Sequence, residues 1–587
     1  MLKKHYGYSK FREGQAKVIK SILQGNDTLA IMPTGAGKSV CFQIPALLFE
    51  GITLVVSPLI SLMKDQVDTL VGLGIPASFI NSSLSNKEVD RRIERTAAGE
   101  YKLLYIAPER LGADPFLELV KQLKISFLAI DEAHCVSQWG HDFRPSYRKI
   151  GPFINKLANR PVVAAFTATA TEEVQEDIIR LLELCDSKLY ITGFDRSNLY
   201  YSIFRRADKK SFLLKYLRDN SRETGIIYAA TRKDVEKIYD LLTEEGLAVG
   251  KYHAGLKDQE RRYFQDEFLN DNLQVMVATN AFGMGIDKSN IRYVIHYNLP
   301  KNMEAYYQEA GRAGRDGEPS ECILLFSPQD VLIQKFLIEQ TVNWPARKKS
   351  EFDKLQTMVD YVYTAKCLRK FILEYFGEED IPENCNRCSN CNDQKTVDIT
   401  EEAEKIFSCI VRMGNPFGIN MIAGVLKGSA TKRLKSLGFD RISTYGLMKE
   451  HSLSEIKDLI NQLIAEDYLQ LTGGKYPVVK LRPKAISVLK DCQPVIGKIT
   501  MATEREEEVD DQLFERLRSL RKLIAQREEV PPYVIFPDST LREMVRLKPL
   551  NNQSMLSVKG VGEVKLARYG SEFMREIEKY IQEKENI

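Results

Sequence analysis

The sequence predicts an α/β fold in its first part and mostly helical units after it. Short apolar runs rich in Val and Ile, each followed by a turn and a charged helical pattern, recur through residues 1–325. Such runs are typical of buried parallel strands. The runs are Leu29–Met32, Thr53–Ser57, Leu103–Ile106, Phe127–Ile130, Val162–Phe166, Ile226–Tyr228, Val275–Ala278, Tyr293–His296 and Ile323–Phe326. The pattern breaks near Asp195–Arg205, which predicts two α/β domains, at residues 1–199 and 200–340.

Four smaller segments are predicted to follow the α/β domains. Residues 341–398 are strongly helical and end in a loop rich in Asn and Cys. Residues 399–492 combine helices with two short strands around a Gly-Gly turn, a pattern typical of a winged helix. The acidic stretch 493–511 is predicted to be a solvated linker, and residues 512–587 to be a small all-helical domain.

Composition excludes several classes of protein. A chain of 587 residues with 44% apolar and 28% charged side chains is ordinary for a globular protein and too apolar for wholesale disorder. No window approaches about 18 uninterrupted apolar residues, and no apolar run opens the chain, so we expect neither a membrane span nor a secretion signal. Ten cysteines without an export signal argue against a disulfide framework.

A phosphate-binding loop is predicted directly after the first apolar run. The glycines of such a loop let backbone N–H groups surround phosphate oxygens, its lysine reaches the β and γ phosphates, and its hydroxyl can bind Mg²⁺. Met32 stands where the general motif has its first glycine. The candidate residues are Thr34, Gly35, Ala36, Gly37, Lys38 and Ser39.

Two further motifs carry groups that phosphoryl transfer needs. Asp131 and Glu132 follow an apolar run, and a carboxylate at the end of a buried strand is well placed to bind Mg²⁺. We assign Asp131 to the metal and Glu132 to the attacking water. Arg312 and Arg315, three residues apart on a helical pattern of the second domain, can stabilise a phosphoryl group as arginine fingers.

The order of these motifs resembles that of the superfamily-two helicases. The shared segments are Tyr8–Gln15, Thr34–Ser39, Ser57–Leu62, Asp131–His134, Thr167–Thr169, Val277–Asp287 and Gln308–Arg315. The insertion Cys135–Pro145 narrows the resemblance to the RecQ family of DNA helicases. The last unit is similar to the helicase-and-RNase-D C-terminal (HRDC) module. The resemblance implies two RecA-like domains, a zinc-binding unit, a winged helix and an HRDC domain.

The resemblance also implies roles for individual residues. Tyr8 and Arg12 would sandwich the adenine of ATP, and Gln15 would hydrogen-bond its edge. The residues implied near the phosphates from the second domain are Gly285, Asp287, Gln308, Arg312 and Arg315. Ser57, Thr167 and Thr169 would belong to the DNA groove, where the threonines would relay the state of the nucleotide.

The insertion contains an aromatic loop with Trp139, Phe143 and Arg144. Aromatic rings stack on unpaired bases, a contact worth about 1–3 kcal/mol per base and tolerant of sequence. Because the loop directly follows Asp131–His134, stacking there can be coupled to the water-activating residue. Anchoring of the rings in the core is the alternative, but their Gln, Gly, His, Asp and Arg neighbours form no apolar stripe.

Four cysteines predict a metal site. Cys367 lies in a helical pattern, and Cys385, Cys388 and Cys391 follow in a loop with two-residue gaps. Four thiolates suit tetrahedral Zn²⁺ with no open position, hence a structural site. An iron–sulfur cluster uses similar spacing and is the competing interpretation, and the resemblance favours zinc.

Basic residues predict a duplex-binding surface in the winged helix. Segment 427–449 carries six basic side chains against one acidic, and Lys432, Arg433 and Lys435 would neutralise phosphates irrespective of sequence. A solvated basic face is the alternative. Tyr476, next to the hairpin turn, is a candidate strand-separating wedge, although a simple exposed turn fits the same residues.

The function predicted is that of an ATP-dependent helicase that moves along single-stranded DNA and unwinds duplex. A 3′→5′ direction and a role in recombination, repair and replication-fork maintenance are what the resemblance implies. The expected cofactors are ATP, Mg²⁺ and Zn²⁺. The expected partners are single-stranded, forked and junction DNA, with a single-stranded-DNA-binding protein as a candidate. We expect a cytoplasmic, nucleoid-associated monomer.

Two other functions stay open at this point. The first is a non-enzymatic DNA-binding scaffold with a vestigial nucleotide site. The second is an ATPase that acts on RNA instead of DNA.

Overall fold

A computed structural model describes residues 1–585 except for 141, 206, 284–287, 393, 415, 473–476, 492 and 501–510. Two parallel sheets covered by helices form the first part of the chain, and helical units follow. The predicted fold class is confirmed. No helix among the described residues is long and apolar enough to span a bilayer.

The first α/β domain, here the first lobe, is built on a parallel sheet. Its strands are β1 (Thr28–Ile31), β2 (Ile52–Val56), β3 (Ala77–Ile80), β4 (Leu103–Ile106), β5 (Ile125–Ile130), β6 (Val162–Thr167) and β7 (Lys188–Ile191). Its helices are α1 (Gln15–Leu23), α2 (Lys38–Leu48), α3 (Ile60–Gly72), α4 (Asn86–Ala97), α5 (Asp114–Gln122), α6 (Ile150–Ile154) and α7 (Glu172–Leu181). The described strands lie in the order β3-β4-β2-β5-β6-β1-β7. The phosphate loop, the Asp131 motif and the Thr167 motif therefore follow the carboxyl ends of three adjacent strands, where ligands bind in such sheets.

The second α/β domain, here the second lobe, is also a parallel sheet. Its strands are β8 (Leu199–Arg205), β9 (Gly225–Tyr228), β10 (Val249–Tyr252), β11 (Val275–Ala278), β12 (Tyr293–His296) and β13 (Ser320–Phe326). Its helices are α8 (Lys209–Asp219), α9 (Arg232–Glu244), α10 (Asp258–Leu269), α11 (Met303–Ala310) and α12 (Pro328–Thr341). The described strands lie in the order β10-β11-β9-β12-β13-β8.

All nine apolar runs form strands, and the strands that the runs did not reveal lie at sheet edges. β3 and β7 close the first described sheet, and β10 and β8 close the second. An edge strand is not covered on every side, so its sequence need not be apolar throughout. β10 shows this directly, since Gly250 and Lys251 occupy its middle positions.

The remaining units are mostly helical. The unit after the second lobe contains α13 (Pro345–Tyr363), α14 (Leu368–Tyr375) and the single turn α15 (Ser389–Asn392). The next contains β14 (Gln394–Asp398), α16 (Thr400–Arg412), α17 (Ile419–Lys427), α18 (Lys432–Ser436), α19 (Leu453–Ala465), β15 (Leu469–Leu471), β16 (Val479–Leu481), α20 (Pro483–Asp491) and β17 (Ile496–Thr500). β17 pairs with β14, so residues 496–500 of the predicted linker belong to a strand pair.

The C-terminal unit packs against both lobes. Its helices are α21 (Asp511–Arg527), α22 (Pro532–Ile535), α23 (Asp538–Leu547), α24 (Asn552–Ser557), α25 (Glu563–Lys565) and α26 (Ser571–Glu585). Gly562 approaches Gly7 so closely that a Cβ on Gly562 would lie 3.1 Å from the Gly7 Cα atom. Glycine is needed at this contact because it lets two backbones meet.

A buried ion network joins the C-terminal unit to the second lobe. Arg521 is fully buried, and its guanidinium lies 2.7 Å from an Asp538 carboxylate oxygen and 3.6 Å from one of Asp271. Asp271 also pairs with buried Lys288. Burial alone would raise the pKa of Asp271, but Lys288 and Arg521 hold it well below its usual range. Buried charges of the C-terminal unit and of the second lobe therefore neutralise one another at their interface.

Arg521→Ala is expected to lower the free energy of unfolding by about 3–5 kcal/mol, because it removes the buried cation that pairs with the Asp538 carboxylate. Urea denaturation followed by circular dichroism measures this change. Arg546→Ala is the matched control, since Arg546 is 71% exposed in its pair with Glu543 and should change stability by less than about 1 kcal/mol. Equal effects of the two substitutions would contradict a stabilising role for the network.

Candidate active site and nucleic-acid cleft

The loop between β1 and α2 adopts left-handed backbone at two glycines, with φ of 82° at Gly35 and 80° at Gly37. Gln15 Nε2 donates hydrogen bonds to the carbonyl oxygens of Ala36 (2.9 Å) and Gly37 (3.2 Å). The Arg12 guanidinium donates to the Gly35 carbonyl. Because these carbonyls are engaged by α1 and the segment before it, the loop can present its N–H groups to an anion.

The residues implied at adenine lie beside this loop. Tyr8, Arg12 and Gln15 line the same cavity as Lys38, and Tyr8 is 38% exposed. Gln15 Oε1 accepts a hydrogen bond from the Arg12 backbone N–H at 2.9 Å. In this structure both polar atoms of the Gln15 side chain are therefore engaged by protein groups.

Lys38 and Ser39 begin α2 and line the cavity together with Asp131 and Glu132. The Lys38 Nζ atom donates to the Met32 carbonyl at 3.2 Å. Burial lowers the pKa of Lys38, and the carboxylates of Glu132 and Asp131 oppose that shift. A phosphate entering the cavity would add negative charge beside the ammonium and favour its charged form.

The carboxylates at the end of β5 are held in an unusual backbone. Glu132 has a φ of 47°, a conformation that costs a residue other than glycine about 1–3 kcal/mol and is concentrated at functional sites. The Tyr147 hydroxyl donates to the Asp131 carbonyl at 2.8 Å and fixes the turn. The Glu132 Oε2 atom is buried without a hydrogen-bond partner among the described residues. The His134 Nδ1 atom lies 3.4 Å from this oxygen, and the Glu132 side chain lines the cavity.

His134 connects this motif to the end of β6. Its Nδ1 atom lies 2.9 Å from the hydroxyl of Thr167, which in turn donates to the Thr169 carbonyl at 3.1 Å. Burial lowers the pKa of His134, so the ring is neutral and makes this contact as a hydrogen bond. The two motifs thus share one buried polar chain.

The second lobe contributes the opposite wall of the cavity. Gln308 lies on α11. The prediction of a helix at Arg312 and Arg315 is wrong, because α11 ends at Ala310 and both arginines lie in the turns that follow. All three side chains line the same space of about 480 Å³ as Lys38. Arg312 is almost fully buried. The structure therefore brings the predicted groups of both lobes to one cavity.

Arg196 was not predicted, yet it joins the two walls. Its guanidinium donates to the Thr34 carbonyl of the phosphate loop and to the carbonyls of Gly311 (3.0 Å), Ala313 (2.9 Å) and Gly314 (2.8 Å). The side chain is buried, and burial lowers its pKa. The sequence marked only a domain break at this position, because carbonyl partners leave no pattern in side chains.

The C-terminal unit forms a third wall that the sequence did not reveal. Tyr533, Val534, Lys565 and Arg568 line the cavity, and the Arg568 guanidinium donates to the Gly72 carbonyl of α3 at 3.2 Å. Burial lowers the pKa of Lys565 to about 8, and its Nζ atom donates to the Val534 carbonyl at 2.7 Å.

A second cavity of about 1200 Å³ lies beside the aromatic loop. Trp139 is half-buried, and its ring meets that of Trp344 with centroids 5.8 Å apart. Phe143 lies under the Arg148 guanidinium at 5.3 Å, and Arg144 donates to the Pro58 carbonyl at 2.7 Å. The aromatic loop is thus held to the segment after β2 while its Trp139 ring faces the linker between α12 and α13.

Other predicted DNA contacts have different surroundings. Ser57, Thr167 and Thr169 are buried at the ends of β2 and β6. Lys432, Arg433 and Lys435 are exposed on or beside α18, around buried Leu434, and line neither cavity. Gly285, Asp287 and Tyr476 lie outside the described residues.

The four cysteines meet as predicted from their spacing. The sulfur atoms of Cys367, Cys385, Cys388 and Cys391 all lie within 4.8 Å of one another. The Cys385–Cys391 and Cys367–Cys388 distances are 4.0 and 3.9 Å. Zn–S bonds of about 2.3 Å in a tetrahedron place sulfurs about 3.8 Å apart, so the cluster fits Zn²⁺.

The cysteine cluster is attached to residues 194–201, here the connector between the lobes. Arg387 donates to the Ser197 carbonyl at 3.0 Å. Arg369 pairs with Asp195 and donates to the carbonyls of Arg196 (2.7 Å) and Leu199 (2.6 Å). The metal site therefore supports the connector as well as its own loop.

Family models match the chain in consecutive segments that together define a two-lobed helicase core with accessory domains. The matches are the DEAD/DEAH box helicase at residues 12–178, the helicase conserved C-terminal domain at 208–317, RecQ zinc-binding at 328–392, the RQC domain at 393–508 and the HRDC domain at 510–577.

Known relatives narrow this class to one family. The ATP-dependent DNA helicase RecQ of Bacillus subtilis (strain 168) is 49% identical to this chain, and the alignment covers 99% of this chain and 98% of that protein. The protein of the same name from Haemophilus influenzae is 41% identical, with 99% and 95% covered. The RecQ-like DNA helicase BLM of Xenopus laevis is 33% identical, covering 98% of this chain and 46% of its own. The chain belongs to the RecQ family, which confirms the resemblance seen in its motifs.

Cys388→Ser is expected to release the metal and lower the free energy of unfolding by about 3 kcal/mol or more, because metal binding here is coupled to folding. Elemental analysis and calorimetric melting measure the two effects. Cys185→Ser is the matched control, since Cys185 is an exposed free thiol, and it should keep full metal content. Iron with visible absorbance in the wild type would reverse the choice of zinc.

Proposed function

We propose that this protein is an ATP-dependent DNA helicase. The observation that carries the proposal is the single cavity between the lobes. Lys38, Asp131 and Glu132 line it from the first lobe, and Gln308, Arg312 and Arg315 from the second. A cavity of this composition hydrolyses a nucleoside triphosphate only when the lobes are together, which links the chemistry to their movement.

Hydrolysis of ATP follows from the roles of these side chains. The phosphate loop and Lys38 hold the triphosphate, and Tyr8 and Arg12 lie where its base would extend. Ser39 and Asp131 would hold Mg²⁺, which neutralises phosphate charge when bound. Glu132 orients the attacking water and accepts its proton, and Arg312 and Arg315 stabilise negative charge on the transferred group.

Coupling to DNA is proposed to run through His134 and the aromatic loop. His134 contacts Thr167 at 2.9 Å and directly precedes the insertion that carries Trp139. A strand bound at this loop can therefore act on Glu132 through a few covalent and hydrogen bonds. Lys432, Arg433 and Lys435, all exposed, are proposed to bind duplex phosphates.

The finer features follow from family membership. We propose 3′→5′ movement, action in recombination, repair and replication-fork maintenance, and forked or junction DNA as the substrate. A nucleoid-associated monomer that meets a single-stranded-DNA-binding protein fits this role.

Phosphate release with and without single-stranded DNA, and strand displacement on matched DNA and RNA forks, test the proposal. We expect DNA-stimulated release and unwinding of DNA with a 3′ tail. Release that is absent with every oligonucleotide would favour a binding scaffold, and preferential opening of RNA forks would favour an RNA helicase.

Lys38→Ala is expected to lower ATP turnover about 100-fold or more, because it removes a cation that acts on developing phosphate charge. Binding of single-stranded DNA, measured by fluorescence anisotropy, should stay close to that of the wild type. Lys20→Ala, an exposed lysine on α1, serves as the control with normal turnover. An active Lys38→Ala protein would refute the assignment of the nucleotide site.

Trp139→Ala is expected to reduce the ratio of ATP turnover with DNA to turnover without it towards one, since the aromatic loop no longer senses the strand. Trp139→Phe keeps an aromatic face and should keep most of the stimulation. Steady-state turnover over a titration of single-stranded DNA measures the ratio. Full stimulation in Trp139→Ala would exclude this residue from the coupling.

A further inference from the structure

Trp344 combines large exposure with a position beside the aromatic loop. It lies between α12 and α13, with 51% of its surface exposed. Its ring meets that of Trp139 at a centroid distance of 5.8 Å and an interplanar angle of 33°. The sequence contains only these two tryptophans, so both indoles of the chain lie at one place.

The two rings have different surroundings. Trp139 is half-buried and packs against the main apolar core. Trp344 borders the cavity of about 1200 Å³, whereas Trp139 is not among the described residues that line it. Trp344 therefore rests on Trp139 and leaves much of its surface to the cavity. Burial of apolar surface stabilises a fold, so a tryptophan that served only to hold the lobes together would be expected to be more deeply buried.

The cavity around Trp344 has the chemistry of a nucleic-acid groove. Its described lining includes cations and amides from both lobes and the linker, among them Gln138, Arg232, Lys233, Asn280, Lys301 and Arg347. The carboxylates in the lining are paired, Glu309 with His296 at 2.9 Å and Glu351 with Arg347 at 3.9 Å. Cations that follow a phosphate backbone beside an aromatic face are the usual means of binding a single strand.

We propose that Trp344 is a base-stacking face for single-stranded DNA and that Trp139 supports it from the first lobe. The inference rests on the proposed function and adds a residue outside the aromatic loop. The strand would then contact a surface built from two parts of the molecule, because the supporting ring belongs to the first lobe and the stacking ring to the linker after α12.

Fluorescence tests the stacking directly. In Trp139→Phe the emission comes from Trp344 alone, because the chain holds no other tryptophan. A saturating oligothymidylate is expected to quench this emission, and blunt duplex DNA at the same concentration should not. Unchanged emission at saturation, established by anisotropy of the labelled oligonucleotide, would overturn the proposal.

Affinity gives an independent test. Trp344→Ala should weaken oligothymidylate binding roughly 5- to 150-fold, the range for loss of one stacked base, and Trp344→Phe should retain most of the affinity. Phe336→Ala is the matched control: Phe336 is 60% exposed on α12, is absent from the described cavity lining, and should bind as the wild type does.

The outcomes separate this inference from the proposed function. A wild type that binds and unwinds DNA, together with a Trp344→Ala variant of the same affinity, overturns the inference alone. A wild type that neither binds single-stranded DNA nor hydrolyses ATP overturns the proposed function and the inference with it.

Discussion

The guanidinium of Arg196 is the contact on which the arrangement of the two lobes depends. Three of its four carbonyl partners lie in the turn that directly follows α11. The fourth belongs to Thr34 in the phosphate loop. One buried cation thus joins the turn after α11, next to Arg312 and Arg315, to the loop that would hold the phosphates. Arg312 and Arg315 flank two of the carbonyls in this contact, and both line the same cavity as Lys38.

Around that contact, charge and backbone are arranged for an anion. Cationic side chains surround the cavity, and Lys38 is desolvated enough to have a lowered pKa. Glu132 is held at a positive φ, and its buried Oε2 atom lies 3.4 Å from the His134 Nδ1 atom. The hydrogen bonds of Tyr147 and of the His134–Thr167 pair stabilise the neighbouring turn and offset the free-energy cost of the positive φ. These features favour a highly charged ligand and one ordered water.

Much of this organisation could be predicted from sequence, and the omissions have a common cause. Local patterns sufficed for the central strands, the phosphate loop and the cysteine spacing, because these depend on neighbours in the chain. Arg196 and Trp344 escaped notice because their partners are distant backbone carbonyls or a single ring in another lobe. The wall formed by Tyr533 and Lys565 escaped for the same reason: the packing of a separate unit leaves no periodicity. The edge strand β10 lacked a continuous apolar run, because Gly250 and Lys251 interrupt it.

The metal-bearing unit changes what the connector between the lobes can do. Within residues 194–201, backbone groups form hydrogen bonds with the side chains of Arg369, Glu378 and Arg387. Tyr201 and Cys388 also form an isolated parallel β-bridge through their backbones. A connector fixed along its length is not a free swivel. When one lobe rotates relative to the other, the cysteine cluster must travel with the connector, and bending is displaced to segments outside it. The cysteine-bearing unit therefore restrains bending within the connector, and a rotation of the lobes must use hinges outside residues 194–201.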